Sequence, residues 1–155
     1  MYGGVGASRR CRRSQTSNII GRFAMGLRVM PPQHIENRGA ILLIDDSPRT
    51  LVARAYNLIR RGFEVELAST IEQAESQWQP GRYILVLFAV RKGLRRAAEC
   101  CERMKHQTPR QMIGMLVAPG AELPPMHCPD LLWLEENLDY FLARVDTLAD
   151  FARAA

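Results

Sequence analysis

Two adjacent aspartates, Asp45 and Asp46, directly follow the apolar run 40–44 and precede a Ser47-Pro48 step. A continuous apolar run is typical of a strand that is buried on both faces of a parallel sheet, and Ser-Pro is typical of the start of a helix. Carboxylates at the carboxyl end of such a strand can bind Mg²⁺, accept a phosphoryl group, or act as a general acid or base. A simpler role for Asp46 is to help cap the adjacent helix. The pattern predicts a site for such chemistry or the remains of one.

The elements that must position these aspartates alternate regularly over residues 39–155. Strands are predicted at 40–44, 63–68, 83–90, 112–118 and 130–134, with helices after the first, second, third and fifth of them. This order predicts an α/β domain with a doubly wound, five-stranded parallel sheet, whose sites lie where the strand order reverses. Glu64 and Glu66 alternate with apolar residues, which predicts a second strand with one face in water at a sheet edge. Ser69 and Glu72 predict a capping box for the second helix.

Residues 1–38 are a basic segment without a persistent apolar pattern, and they are predicted to be a disordered extension of one domain at 39–155. Seven arginines and one acid give this segment a charge of +6. Because the whole chain carries +5, the domain at 39–155 carries a net charge of −1. The domain itself therefore lacks the charge of a nucleic-acid-binding face. Three interpretations of the segment stay open: a wrongly assigned start, with Met25 or Met30 as the initiator; an arm that binds nucleic-acid phosphates or an acidic membrane surface; or a docking segment for an acidic partner.

The cysteines show no metal-binding spacing. The residues that could form a zinc site show neither a C-x-x-C nor an H-x-x-x-H spacing, so reduced thiols are expected. The residues available for it are Cys100, Cys101, His106, His127 and Cys128. No apolar run approaches the roughly 20 residues that cross a bilayer, and the basic start is not followed by the apolar core and small-residue cleavage site typical of a signal peptide. A cytoplasmic location is predicted.

Two segments resemble a known family, the CheY-like receiver domains of bacterial response regulators. They are ILLIDDSPRTLVARAYNLIRRGFEVELASTIEQAESQW (41–78) and LLWLEENLDYFLARV (131–145). The resemblance implies a flavodoxin-like fold and a signalling domain of the two-component or phosphorelay type, with a histidine kinase or an output protein as partner. In that family an acidic pair helps to hold Mg²⁺, and an aspartate that ends the third strand accepts a phosphoryl group. A Thr or Ser ends the fourth strand, and a Lys ends the fifth.

Only the acidic pair, Asp45 and Asp46, matches this pattern. The acceptor position falls on Phe88, the hydroxyl position on Val117, and the lysine position on Trp133 or Leu134. No aspartate occurs in residues 47–129, so a shifted alignment cannot supply the acceptor. The resemblance therefore implies a degenerate pseudo-receiver that is neither phosphorylated nor an enzyme, and that binds Mg²⁺ weakly or not at all.

Two neighbouring carboxylates without a metal repel each other, so a nearby positive charge is favourable. Arg91 and Lys92 follow the third strand, and we expect one of them to form an ion pair with Asp45 or Asp46 in place of the metal.

The stretch between the fourth and fifth strands departs from the family as well. Four of the twelve residues 119–130 are prolines, so the family's fourth helix is expected to be reduced or absent. An apolar contact patch could then include Met126, Trp133 or Phe141, although core packing is the ordinary role for such residues.

The leading functional prediction is a module that acts through protein–protein interaction. One alternative is a haloacid-dehalogenase-like phosphatase, whose Asp-x-Asp motif is not matched because Ser47 stands two positions after Asp45. The other alternative is nucleic-acid or membrane-surface binding through the arginine-rich segment.

Overall fold

The chain folds around one mixed sheet with helices on both faces. A computed structural model describes residues 28–32, 35–117, 131–135 and 137–155, with 131–135 described by the backbone alone. The strands are β1 (Arg28–Val29), β2 (Ala40–Ile44), β3 (Glu64–Ala68), β4 (Leu85–Phe88), β5 (Met112–Val117) and β6 (Leu131–Glu135), and the helices are α1 (Pro48–Arg60), α2 (Ile71–Gln77), α3 (Leu94–Gln107) and α4 (Leu138–Ala154).

The strand order is β1-β3-β2-β4-β5-β6. Strands β2 to β6 pair in parallel, and the two-residue β1 pairs antiparallel to the outer edge of β3. The five parallel strands therefore have the order 2-1-3-4-5 of flavodoxin-like folds, and the predicted doubly wound sheet is confirmed.

Alternate residues of the buried strands supply two apolar layers, because successive side chains of a strand point to opposite faces. Ile41 and Leu43 of β2 face α1 and α4, whereas Leu42 and Ile44 face α2 and α3. All four are fully buried, which explains why β2 is a continuous apolar run. Phe141 of α4 is 1% exposed and belongs to the first layer, so it packs in the core and forms no exposed patch.

The prediction that β3 has one face in water is wrong. Glu64 is 5% exposed and Glu66 is 8% exposed. Arg28 of β1 forms an ion pair with Glu64, and Glu66 accepts hydrogen bonds at 2.8 Å from the Arg82 guanidinium and the Tyr83 hydroxyl. Buried carboxylates need such partners, and here the partners come from β1 and from the residues just before β4.

The segment before β2 packs on the domain where the structure describes it, and the disordered extension predicted over residues 1–38 stays a prediction. The Arg38 N–H donates to the Gly62 carbonyl at 2.9 Å, and the Arg38 guanidinium lies 4.5 Å above the Phe63 ring and 2.5 Å from Asp146 of α4. Gly62 has a φ of +90°, and a Cβ there would lie 2.6 Å from the Glu36 carbonyl oxygen. The close approach of these two segments therefore requires glycine.

Residues 119–130, where the fourth helix of receiver domains is predicted to be reduced or absent, lie outside the described residues. Met126, His127 and Cys128 belong to this stretch. Within the described part of the chain, no helix has the length and apolar character needed to span a membrane.

Candidate functional site

The positions singled out in the sequence meet at the carboxyl edge of the parallel sheet. Ile44, the residue before Asp45, is paired with Phe88, which is in turn paired with Met115. Val117, at the end of β5, is paired with Glu135 of β6. In the same ladder Trp133 is paired with Met115 and Leu134 with Leu116. Strand β2 lies between β3 and β4, so the aspartates stand where the strand order reverses, the usual place for a site in such sheets.

Asp45 is fully buried, and both of its carboxylate oxygens accept hydrogen bonds within the domain. One oxygen accepts from the Ser47 N–H at 2.9 Å and from the Thr50 hydroxyl at 3.0 Å. The other oxygen is paired with the guanidinium of Arg54, which is 8% exposed. Thr50 and Arg54 are four residues apart in α1, so both lie on the helix face that meets Asp45.

Asp46 is exposed and contacts the loop between β4 and α3. Its carboxylate accepts the main-chain N–H of Arg91 at 3.0 Å and the main-chain N–H of Lys92 at 3.1 Å. Asp45, rather than Asp46, accepts the N–H of Ser47, the residue just before α1, so the contact with the start of this helix is made by the neighbour of Asp46. One aspartate therefore fixes α1, and the other fixes the β4–α3 loop.

The cation beside Asp45 is Arg54, which was not among the residues predicted to replace the metal. Arg91 and Lys92 do lie next to the acidic pair, but the bonds described above come from their main chain. An ion pair between either side chain and Asp46 stays a prediction. Arg54 did give a signal in the sequence: it stands within the apolar stripe of α1, three residues after Leu51 and four before Leu58. A charged residue in such a stripe needs a buried partner.

The residue at the phosphoacceptor position has an apolar side chain. Phe88 is fully buried in the layer between the sheet and helices α2 and α3, together with Ile44 and Met115. Val117 is partly buried against the same layer. Neither side chain can accept a phosphoryl group or coordinate a cation. The side chains of Trp133 and Leu134 lie outside the described part of the structure, so their predicted role stays a prediction.

The described residues do not fit the Mg²⁺ that the resemblance implies. Magnesium requires oxygen ligands in near-octahedral geometry. Both oxygens of Asp45 are engaged, one oxygen of Asp46 accepts two amides, and Phe88 carries no ligand atom. Among the described residues, no group of three or more His, Cys, Asp or Glu side chains is placed to hold a metal. Cys100 and Cys101 are buried thiols of α3, and the rest of the conceivable zinc site lies partly outside the described residues.

Comparison with solved structures identifies the fold. NtrX from Brucella abortus in complex with ATP matches with a TM-score of 0.60 and 15% identity, over 76% of this chain but 28% of NtrX. A CheY-like receiver domain protein from Methanospirillum hungatei matches with a TM-score of 0.61 and 15% identity, over 77% of this chain and all of the other. A chain in the complex of histidine kinase ThkA with response regulator TrrA matches with a TM-score of 0.61 and 22% identity, over 71% of this chain and 97% of the other.

No protein-family model matches the sequence, and no curated protein matches it closely enough to be a relative. At these identities the structural likeness shows the fold: the chain has the fold of CheY-like receiver domains, and it spans about a quarter of the length of NtrX.

Proposed function

We propose that this chain is a receiver-like signalling domain that is not phosphorylated and that acts by binding another protein. One observation carries the proposal: the carboxylate of Asp45 forms an ion pair with Arg54, while Phe88 occupies the acceptor position. A phosphoryl group would find no nucleophilic carboxylate at that strand end. The receiver fold supports a role in two-component signalling, and the altered pocket supports control by partner binding.

The same contacts support independence from Mg²⁺. In a receiver with a complete pocket, a metal offsets the repulsion between acidic side chains. Here the Arg54 guanidinium supplies a tethered positive charge at Asp45, and two amides of the β4–α3 loop neutralise part of the charge on Asp46. A divalent cation would have to displace hydrogen bonds that the domain already makes.

The test is incubation of the full chain with acetyl phosphate and MgCl₂, followed by intact-mass measurement. We expect no phosphoryl adduct, whereas a receiver domain with a complete pocket, treated in parallel, becomes modified. A hydroxylamine-sensitive phosphoryl adduct on this chain would contradict the proposal. A Mn²⁺ titration followed by electron paramagnetic resonance tests the metal separately, and we expect free Mn²⁺ at every protein concentration.

The proposed partner class is a histidine kinase or an output protein. A chain of similar fold occurs in the complex of histidine kinase ThkA with TrrA, which supports a kinase as the first candidate. With a kinase encoded beside this protein, we expect a complex in size-exclusion chromatography but no transfer of radioactive phosphate from the autophosphorylated kinase. Transfer of phosphate to this chain, with or without a stable complex, would contradict the proposal.

The phosphatase alternative has little support. Its nucleophile would have to be Asp45, which is buried and paired with Arg54. Binding of nucleic acid or membrane surfaces through the arginine-rich segment, the absence of enzymatic activity and the cytoplasmic location all stay predictions. Residues 1–27, on which the segment's role depends, lie outside the described part of the structure.

A further inference from the structure

An open groove of about 760 Å³ lies at the end of the sheet opposite to Asp45 and Asp46. It is formed where β4 and β5 begin and where α3 and α4 end. Because the strands are parallel, the whole height of the sheet separates this groove from the acidic pair. The groove is therefore independent of the altered receiver pocket.

The floor of the groove is apolar. Ile84, Met112, Leu148 and Phe151 line it. Phe151 is 64% exposed, the highest value among the large apolar side chains that the structure describes as exposed. The floor is held in place by Gln111. Its side-chain amide donates to the Tyr83 carbonyl at 3.1 Å and accepts from the Trp78 indole N–H at 3.3 Å. A fixed apolar floor with an exposed aromatic ring is typical of a binding surface.

The rim of the groove is cationic. Lys105 of α3 and Arg110 of the following loop line it, and no acidic side chain is among its described lining residues. The Lys105 ammonium donates to the Pro109 carbonyl at 2.9 Å, which holds it beside the groove. A positive rim around an apolar floor selects an occupant that is apolar on one side and negatively charged at its margins.

The charge and shape of the groove distinguish among possible occupants. The chain's own residues 1–27 contain five arginines and no acid, so they carry the same sign as the rim. A second copy, docked symmetrically, would bring the two cationic rims together. A small ligand gains most of its affinity by being largely enclosed, which an open groove does not provide. An amphipathic helix can place apolar side chains on the floor while its flanking acids meet the rim.

We infer that this groove binds an acidic amphipathic helix of a partner protein. The inference rests on the proposed function, since it assigns a chemistry and a docking surface to the partner that the receiver-like domain requires. The contacts are Phe151 with the apolar face of the helix and Arg110 with its flanking carboxylates.

The test uses a fluorescein-labelled synthetic helix of about 18 residues, long enough to be partly helical alone. Its apolar residues are spaced i, i+3, i+4, i+7 and flanked by glutamates; a second peptide carries lysines instead. Fluorescence anisotropy with the full chain should show saturable binding of the acidic peptide alone. Phe151→Ser and Arg110→Glu should each weaken it about tenfold or more. Arg110→Glu should also improve binding of the lysine peptide.

Matched controls lie on α1, outside the residues that line the groove. Tyr56→Ser removes a similarly exposed aromatic ring (59%) on α1, and Arg49→Glu reverses an exposed charge on the same helix. We expect neither to change the affinity. Failure of the acidic peptide to bind, or equal weakening by the control variants, would overturn the inference. Acetyl phosphate labelling is scored independently, so a phosphorylated chain that still binds the peptide would refute only the proposed function.

Discussion

Arg54 is the residue on which the altered pocket depends. Its guanidinium lies at the sheet-facing side of α1 and is paired with the fully buried Asp45. The mutual attraction of two such charges is offset by the loss of their hydration, so an intact buried pair contributes little net stability. Loss of one partner has a different result, because the remaining charge is then buried without compensation.

We expect Arg54→Met to lower the free energy of unfolding by about 3–5 kcal/mol. The double variant Asp45→Asn/Arg54→Met should recover more than half of that loss, because the asparagine side chain is neutral and can still accept from Ser47 and Thr50. Urea unfolding at neutral pH measures both. Arg95→Ala, which breaks the exposed pair with Glu99, is the control and should cause no measurable change. A double variant no more stable than Arg54→Met would contradict this account of Asp45.

The positions of the candidate site were predictable, but its internal bonds were not. Asp45 and Asp46 could be placed at a sheet edge because they follow a recognisable apolar run, and Phe88 could be placed beside them through the resemblance to receiver domains. Arg54 approaches Asp45 only when α1 packs on the sheet, and periodicity alone predicts which side of a helix is buried, not which charge it contacts. Likewise, the amides of Arg91 and Lys92 reach Asp46 through the path of a loop, which side-chain types do not specify.

For the strands, too, the sequence predicts burial by apolar residues better than it predicts contacts between charged residues. Strand β2 was predicted as a continuous apolar run and is buried on both faces, whereas the acids of β3 predicted exposure and are buried. The difference arises because Arg28 and Arg82, which neutralise those acids, come from distant parts of the chain. Alternation of polar and apolar residues predicts water on one face only where no partner of opposite charge covers it.

The start of α2 shows a similar ambiguity between neighbouring motifs. Ser69 with Glu72 and Thr70 with Gln73 each fit a capping box. The predicted Ser69 cap is wrong: Thr70 is the N-cap and accepts the Gln73 N–H at 3.1 Å, while the Gln73 side chain accepts the Ser69 N–H at 2.9 Å. With Thr70 as the N-cap, the first helical residue is Ile71, which is buried in the apolar layer.

Because Thr70 is the capping residue, Thr70→Ala should lower the free energy of unfolding by about 1 kcal/mol. The matched variant Ser69→Ala keeps the main-chain N–H that Gln73 accepts and loses only the exposed hydrogen bond at 3.1 Å from the Ser69 hydroxyl to the Gln73 side chain, so it should cost only a few tenths of a kcal/mol. Chemical denaturation of the two variants, side by side, measures the difference. Equal losses, or a larger loss for Ser69→Ala, would show that the helix begins one residue earlier.

At the scale of the whole molecule, the layer between the sheet and helices α2 and α3 holds two weak acids in their neutral forms. Burial raises the pKa of the Cys100 thiol from its usual 9.0 to about 12, and the charge of Glu72 acts in the same direction. Burial also raises the pKa of the Tyr83 hydroxyl, as does its hydrogen bond to Glu66. Both groups are covered by the packing of several elements, so their titration reports on the integrity of the entire layer.

A raised pKa in the folded state means that the unfolded chain releases the proton at a lower pH, so stability falls as the pH increases. The Cys100 contribution is complete below pH 9 and is lost progressively up to about pH 12. At pH 11 this group alone should cost about 2–3 kcal/mol relative to pH 8. Urea unfolding at pH 8, 9, 10 and 11 measures the slope. Cys100→Ala should flatten it above pH 9, and Tyr83→Phe should flatten it above pH 10. An unchanged slope in both variants would contradict the assignment of the alkaline loss of stability to this layer.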